Sequence, residues 1–287
     1  MNQLKIFIDL IRLKKPIGFM LLFWPCAWGL TLAYDLNTNL NNYFLFFVLF
    51  FIGAVLMRSA GCVVNDILDK EYDKRVVRTK NRPIAAEAIS IKVAIFYVII
   101  LCLLAFLVLI NFNFYTIVLA LGSMPLAFTY PLMKRFTYWP QLFLGITFNY
   151  GLILGWTSIK GQLDIVPILF YIGAIFWTLG YDTIYGYQDI KDDEIIGLKS
   201  TSIKFKDNPQ NFLILCYSVF ILILLTIGFL VKLNSFYYFI LILIFLQMFY
   251  FQIKKLDINS GAKCLSIFKS NNFLGLMVFF SLIIGKI

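Results

Sequence analysis

The sequence predicts an all-α polytopic membrane protein. Its expected form is nine transmembrane helices with a cytoplasmic N-terminus and two acidic cytoplasmic loops. Three observations carry this. Hydrophobic residues make up 61% of the chain and charged residues only 14%, whereas soluble domains hold about 45–50% apolar residues. Apolar runs long enough to cross a bilayer as helices recur from end to end with short connections. Lys and Arg gather in alternate connections, as the positive-inside rule demands of cytoplasmic loops. A single membrane-embedded domain over residues 1–287 is the simplest reading.

Taken in order, residues 1–12 mix Ile6, Phe7, Ile8, Leu10 and Ile11 with Lys5 and Asp9, the pattern of a short amphipathic helix on the membrane surface. Residues 16–35 read as a retained span, since no small-residue cleavage site follows the first apolar run. Further spans are predicted at 42–64, 90–110, 114–131, 140–158, 163–186, 211–232, 235–253 and 270–287. The shortest connections, 111–113 and 233–234, decide the count, because a merged hairpin at either would change it. With the N-terminus inside, the opposite side keeps only Lys160, Lys232 and Lys286.

Composition also excludes. A net charge of +10 could suit nucleic acid, but no basic groove interleaved with aromatics lies outside the spans, and orientation signals account for it. The five cysteines form no C-x-x-C pair, so neither a zinc site nor a disulfide framework is indicated. Histidine is absent, which removes imidazole ligands and His-based triads. Any metal must then be a hard cation held by oxygen, Mg²⁺ or Mn²⁺.

Two acidic knots stand out in so apolar a chain. The first runs from Asn65 and Asp66 through Asp69 to Asp73; the second comprises Asp189, Asp192, Asp193 and Glu194. Both follow an apolar span and head one of the two longest loops, 65–89 and 187–210, four spans apart on one side. That placement suggests a four-span unit used twice plus a ninth span, an architecture that commonly puts the site at the repeat interface. Asp69 and Asp73 are four residues apart, as are Asp189 and Asp193, which on a helix stacks each pair on one face. Like charges so placed repel unless a cation lies between them, and Mg²⁺ fills its remaining positions with water and phosphate oxygens. The two pairs are therefore read as a cradle for a metal-bridged diphosphate, with Asp66 and Asp192 as further carboxylates and Asn65 as an amide oxygen.

Basic residues surround the knots. Arg78, Lys80 and Arg82 follow the first knot, Lys134 and Arg135 stand in a short loop after Tyr130, and Lys199 follows the second. Each serves as an orientation signal or as a phosphate clamp. Arg58 and Asp182 lie at membrane depth, each seven residues before its knot, and intramembrane charges usually line a functional cavity. Asp182 is either an ion-pair partner of Arg58 or part of an acceptor pocket.

These residues resemble the UbiA-type membrane aromatic prenyltransferases. The likeness lies in Asn65-Asp66-x-x-Asp69-x-x-x-Asp73 through Arg82-Pro83 and in Tyr181-Asp182-Thr183 through Asp189, Asp192, Asp193 and Gly197-x-Lys199-Ser200. Lys15-Pro16-Ile17-Gly18, Met57 to Cys62 and Tyr130 to Arg135 add to it, so that it runs from about residue 12 to 205. The Tyr-Asp-Thr form of the second motif is closest to the branch that prenylates 4-hydroxybenzoate. Gly186, where Ala is expected, is a small departure.

The resemblance implies a nine-helix enzyme of the bacterial inner membrane, acting in ubiquinone biosynthesis, with the two acidic cytoplasmic loops capping a central cavity whose active site faces the cytoplasm. Its partners would be polyprenyl diphosphate, 4-hydroxybenzoate and the lipid bilayer, and its cofactor Mg²⁺ bridging Asp69/Asp73 and Asp189/Asp193. Lys134 and Arg135 would act with these acids on the departing diphosphate, and either Arg58 or Arg135 would receive the benzoate carboxylate. Naphthoate, homogentisate or haem as acceptor are rivals inside the family. A divalent-cation transporter is the rival outside it, but that reading predicts acids at mid-membrane depth in several spans, and here they cluster at one interface.

Overall fold

The computed structural model describes residues 3–287, and every element among them is helical. Met1 and Asn2, the start of the predicted surface helix, lie outside the described residues; the helix itself is α1 (Gln3–Leu10), with Ile6 and Leu10 buried. Then come α2 (Ile17–Ala33), α3 (Leu40–Leu68), a single turn α4 (Lys70–Asp73), α5 (Ile91–Leu109) and α6 (Phe114–Thr129). A 3-10 turn at Tyr130–Leu132 leads into the short α7 (Met133–Phe136). The second half holds α8 (Pro140–Lys160), α9 (Ile165–Gly186), the short α10 (Ile190–Ile195) and α11 (Thr201–Lys204), then α12 (Pro209–Val231), α13 (Ser235–Leu246) and α14 (Gly261–Lys286).

By length and composition, eight of the described helices can cross a membrane, and the shorter apolar α2 is a ninth candidate. Polar caps fix where they start. Asn39, Ser90, Asn113, Asn234 and Ser260 each accept a bond from a backbone N–H of the first turn, while Pro140 and Pro209 open α8 and α12. The capping side chains satisfy orphan donors of a helix start, and a first-turn proline has no N–H to leave unpaired. The short connections at 111–113 and 233–234 hold as breaks: Asn113 and Asn234 cap new helices there.

Two boundaries differ from expectation. The last helix begins at Gly261, not 270, because Ser260 caps it and the added turns bury Cys264, Ile267 and Phe268. The second span also runs on through Leu68, so Asn65 and Asp66 belong to a helix and not to the loop. A π-helical turn at Gln247–Ile253 ends the eighth span. Its Gln252 joins Tyr217 and Asn271 in a buried hydrogen-bonded group, and Asn271 in turn accepts from the Trp177 indole.

α2 and α8 form the centre. A Cβ at Gly29 would collide with the Leu152 carbonyl and one at Gly155 with the Cys26 carbonyl, so the two backbones touch, the close approach that small residues permit between membrane helices. Around this pair, Trp28 stacks on Phe170 with ring centroids 5.5 Å apart and approaches Trp177 at 5.0 Å. Packing repeats across the halves: α3 lies against α5 as α9 lies against α12. Peripheral helices turn their apolar faces outward, with Phe96, Ile99, Leu103 and Leu107 of α5 all exposed, as a lipid-facing surface requires.

Candidate functional site

Both acidic knots open onto one cavity of about 600 Å³ at the loop end of the bundle. The last turn of α3 delivers Asn65 and Asp66, and the chain then bends at Asp69 into α4. Asp73 N–H bonds to the Asp69 carbonyl at 2.8 Å, so this acid pair shares one helical turn. Asp69 is 1% exposed and Asp66 2%. Burial this deep demands partners, and the chain supplies them. Lys134 pairs with Asp69, and Arg135 approaches the same carboxylate at 3.7 Å. Arg82 bridges Asp66 at 3.1 Å and Asp73 at 2.8 Å, while Arg12 pairs with Asp66 from the end of α1. Burial raises the Asp73 pKa above the ordinary value, with Arg82 opposing it.

The second knot repeats the turn in a more open setting. Asp193 N–H bonds to the Asp189 carbonyl at 2.9 Å. Asp189 pairs with Arg78, which reaches across from the first loop and donates to the Tyr185 hydroxyl at 2.6 Å. Asp193 has no ion pair among the described residues, and desolvation, then repulsion from Asp189, pushes its pKa up to about 6. Lys199 fastens this loop to the Lys134 turn, its N–H bonding to the Lys134 carbonyl at 2.8 Å and its amine to the Phe136 carbonyl at 3.3 Å.

Deeper in the same cavity stand Arg58, Tyr130 and Asp182. The Arg58 guanidinium lies 5.3 Å from the Phe148 ring centroid, and its buried Nε has no hydrogen-bond partner among the described residues. A Cβ at Gly18 would come within 2.8 Å of that Nε, so glycine there leaves the guanidinium its place. Arg58, Tyr130 and Phe148 also line a second cavity of about 210 Å³, otherwise walled mostly by apolar side chains such as Leu22, Phe50, Met57, Leu109 and Phe112. The polar chamber therefore adjoins an apolar one between α2, α3, α5, α6 and α8.

Most of the sequence-predicted residues meet here. Asn65, Asp69, Asp73, Asp189, Asp193, Arg58, Arg78, Arg82, Tyr130, Lys134, Asp182 and Lys199 all line the polar cavity. Asp66 lines it as well, paired with Arg12 and Arg82. Three others lie off the wall. Asp192 lies off the cavity wall, because its neighbour Asp193 takes the position one turn from Asp189. Lys80 is exposed and also off the wall. Arg135 is behind the wall, donating to the Leu68 carbonyl at 2.6 Å and lying 5.0 Å from the Tyr72 ring, so it positions the Asp69 turn. Nor do Arg58 and Asp182 pair with each other, although both face one chamber. Sequence reasoning missed Arg12 as a site residue. Its only local signal is a lone Arg at the end of an amphipathic segment.

Among the described residues, no group of three acids or cysteines converges on an ion site, because the carboxylates turn toward the chain's own cations. The donor set nevertheless fits a hard cation. It is all oxygen, and among the described residues the buried Asp69 Oδ1 accepts no hydrogen bond, with Arg135 standing 3.7 Å away, so that oxygen can ligate.

A family model described as the UbiA prenyltransferase family matches residues 22–282. The chain belongs to that family. Among its UbiA relatives is the mitochondrial 4-hydroxybenzoate polyprenyltransferase of Homo sapiens, 44% identical over 291 residues that cover 100% of this chain and 76% of the relative. The 4-hydroxybenzoate octaprenyltransferase of Francisella tularensis subsp. tularensis is 37% identical, covering 100% of this chain and 99% of the relative. Solved UbiA structures share the fold. A homologue from Archaeoglobus fulgidus bound to GPP and Mg²⁺ has a TM-score of 0.72 at 18% identity, over 97% of this chain and 99% of that one. The apo homologue from Aeropyrum pernix K1 gives 0.72 at 23% identity, over 94% and 97%.

Proposed function

We propose that this chain transfers a polyprenyl group from polyprenyl diphosphate to the ring carbon ortho to the hydroxyl of 4-hydroxybenzoate, releasing diphosphate, a step of ubiquinone biosynthesis. One observation carries the reading: both acid pairs open on a polar cavity whose inner wall of Arg58, Tyr130 and Phe148 is shared with an apolar cavity. A donor with an anionic head and an isoprenoid tail fits that junction, head at the knots and tail among Met57, Phe50 and Leu109. The acceptor is supported by the names of relatives at 37–44% identity across the whole chain.

Asp69, Asp73, Asp189 and Asp193 would hold Mg²⁺, which when bound supplies charge for the leaving diphosphate. The chain's own residues do the rest. Lys134, Arg78 and Arg82 already stand beside these acids, so small side-chain movements bring them onto phosphate oxygens as charge develops there. Arg58 receives the acceptor carboxylate, since Arg135 is committed to Leu68 and Tyr72. The Phe148 face beside Arg58 stacks on the acceptor ring and keeps water from the allylic cation.

Nine spans, a four-plus-four-plus-one repeat and a cytoplasm-facing site in a bacterial inner membrane complete the proposal. Basic residues crowding the same end as both knots support that orientation. Mass spectrometry of products from purified protein in lipid, given Mg²⁺, 4-hydroxybenzoate and mixed prenyl diphosphates, tests the reading. A 3-prenyl-4-hydroxybenzoate product is expected. Its absence, with a naphthoate or homogentisate supplied in parallel prenylated instead, would overturn the assignment.

A further inference from the structure

Attack of the ring on an allylic cation leaves one proton too many on the ring carbon, and a base must remove it. The chain has no histidine, so among its side chains the candidates are the carboxylates facing the polar cavity: Asp9, Asp66, Asp69, Asp73, Asp182, Asp189 and Asp193. Asp66, Asp69, Asp73 and Asp189 each carry a cationic partner. Asp9 is exposed on α1 at the mouth, and Asp193 stands in the rim turn with Asp189. Asp182 differs from all of them. It lines the chamber, and among the described residues neither hydrogen bond nor ion pair engages its carboxylate.

Its depth matches the acceptor. Asp182 sits on α9 one turn before the helix ends at Gly186, ahead of the turn that carries Asp189, and Arg58 precedes Asn65 by seven residues on α3. At 1.5 Å rise per residue, Arg58 lies roughly 10 Å below Asn65. Two opposite charges thus face one chamber below the knots without meeting, an arrangement costly near a membrane unless a ligand bridges them. A molecule anionic at one end and carrying a phenol at the other meets that demand. We infer that Asp182 is the general base that takes the ring proton of the acceptor, opposite the carboxylate held by Arg58; this rests on the function proposed above.

The step balances. The carbon–oxygen bond of the prenyl diphosphate breaks, and its electron pair leaves with diphosphate. A π pair of the ring forms the new carbon–carbon bond at the position ortho to the hydroxyl. Asp182 then accepts the proton from that carbon, and the carbon–hydrogen pair restores aromaticity.

The test compares the unaltered protein with Asp182→Asn and Asp182→Glu, using 4-hydroxybenzoate deuterated at both positions flanking the hydroxyl. Asp182→Asn is expected to lower kcat by about 10²–10⁴-fold, the usual share of a general base, with KM for the acceptor within a few-fold. The deuterium isotope effect on kcat should rise above that of the unaltered protein, because proton removal becomes slow. Asp182→Glu should recover most of the rate and the original isotope effect. Unchanged rate and isotope effect in Asp182→Asn would overturn the inference and leave departing diphosphate as the base. A loss of rate with an unchanged isotope effect, not recovered by Glu, would reduce Asp182 to a structural role. Absence of the 4-hydroxybenzoate product from the unaltered protein would overturn the underlying function together with it.

Discussion

The two acid pairs share a spacing and a local turn, yet they are held in opposite ways. Asp69 and Asp73, 1% and 6% exposed, are gripped by Lys134, Arg135 and Arg82. Among the described residues, Asp189 pairs only with Arg78, whose side chain is 39% exposed, and Asp193 has no ion pair. The first pair is part of the protein's framework as well as its site; the second is nearly all site. Loss of an acid from the first should cost folding and function together, and from the second function almost alone.

Asp69→Ala and Asp189→Ala carry the largest expected effects. Each should lower prenyl transfer on the order of 10³-fold, the scale for removing charge stabilisation of a leaving group. Only Asp69→Ala should also destabilise the protein, by about 2–3 kcal/mol, because Lys134 is left mostly buried without its partner. Thermal unfolding in detergent beside a transfer assay separates the two. Equal stability of both variants would erase the distinction.

Removing the cations instead sharpens it. Arg82→Gln deprives Asp73 of its cation and Asp66 of one of two, so about 2 kcal/mol of stability should be lost. Arg78→Gln frees a half-open pair and should cost at most about 1 kcal/mol after solvent screening. Its main effect should be on donor binding, with KM for prenyl diphosphate raised about 10-fold for one lost charge-assisted contact. Steady-state kinetics and unfolding on the same preparations check both.

The open pair should also respond to pH. Burial, then repulsion from Asp189, pushes the Asp193 carboxyl up to about 6, above the ordinary value near 3.9. The folded state therefore holds a proton that the unfolded state has lost between those values, and stability from this group falls as pH rises through that window. Binding runs the other way, since a metal ligand must be ionised. Affinity of the metal-free protein for Mg²⁺ with a prenyl diphosphate analogue should fall by about 10-fold per pH unit below 6. Calorimetric titration at several pH values measures this, and Asp193→Asn should flatten the dependence.

Much of this was legible in the chain because the signals are local. Apolar run lengths give the spans, and four-residue spacing gives each acid turn. What escaped depends on residues distant in sequence. The Arg12–Asp66 pair spans 54 positions, so nothing near Asp66 marks its partner. Asp192 and Asp193 are neighbours of identical chemistry, and only the turn begun at Asp189 decides which one faces inward. Arg135 and Lys134 are separated in the same way. The π-helical turn at Gln247–Ile253 has no sequence signal at all; buried partners on α12 and α14 select it.

The smallest expected effect lies on the far side of the first loop. Glu87 pairs with Lys74 at 3.0 Å and Lys70 at 3.4 Å, its side chain 65% exposed. These contacts lower the Glu87 pKa, through its bonds to Lys74 first, but water competes for every group involved, and exposed pairs contribute little. Glu87→Gln keeps the side-chain shape at a residue with φ of 57°, so backbone strain is unchanged. No measurable change in unfolding temperature or transfer rate is expected. A clear loss of transfer would mean that the outer face of this loop holds the inner one in place, and that the grip on Asp69 and Asp73 extends beyond the cations in contact with them.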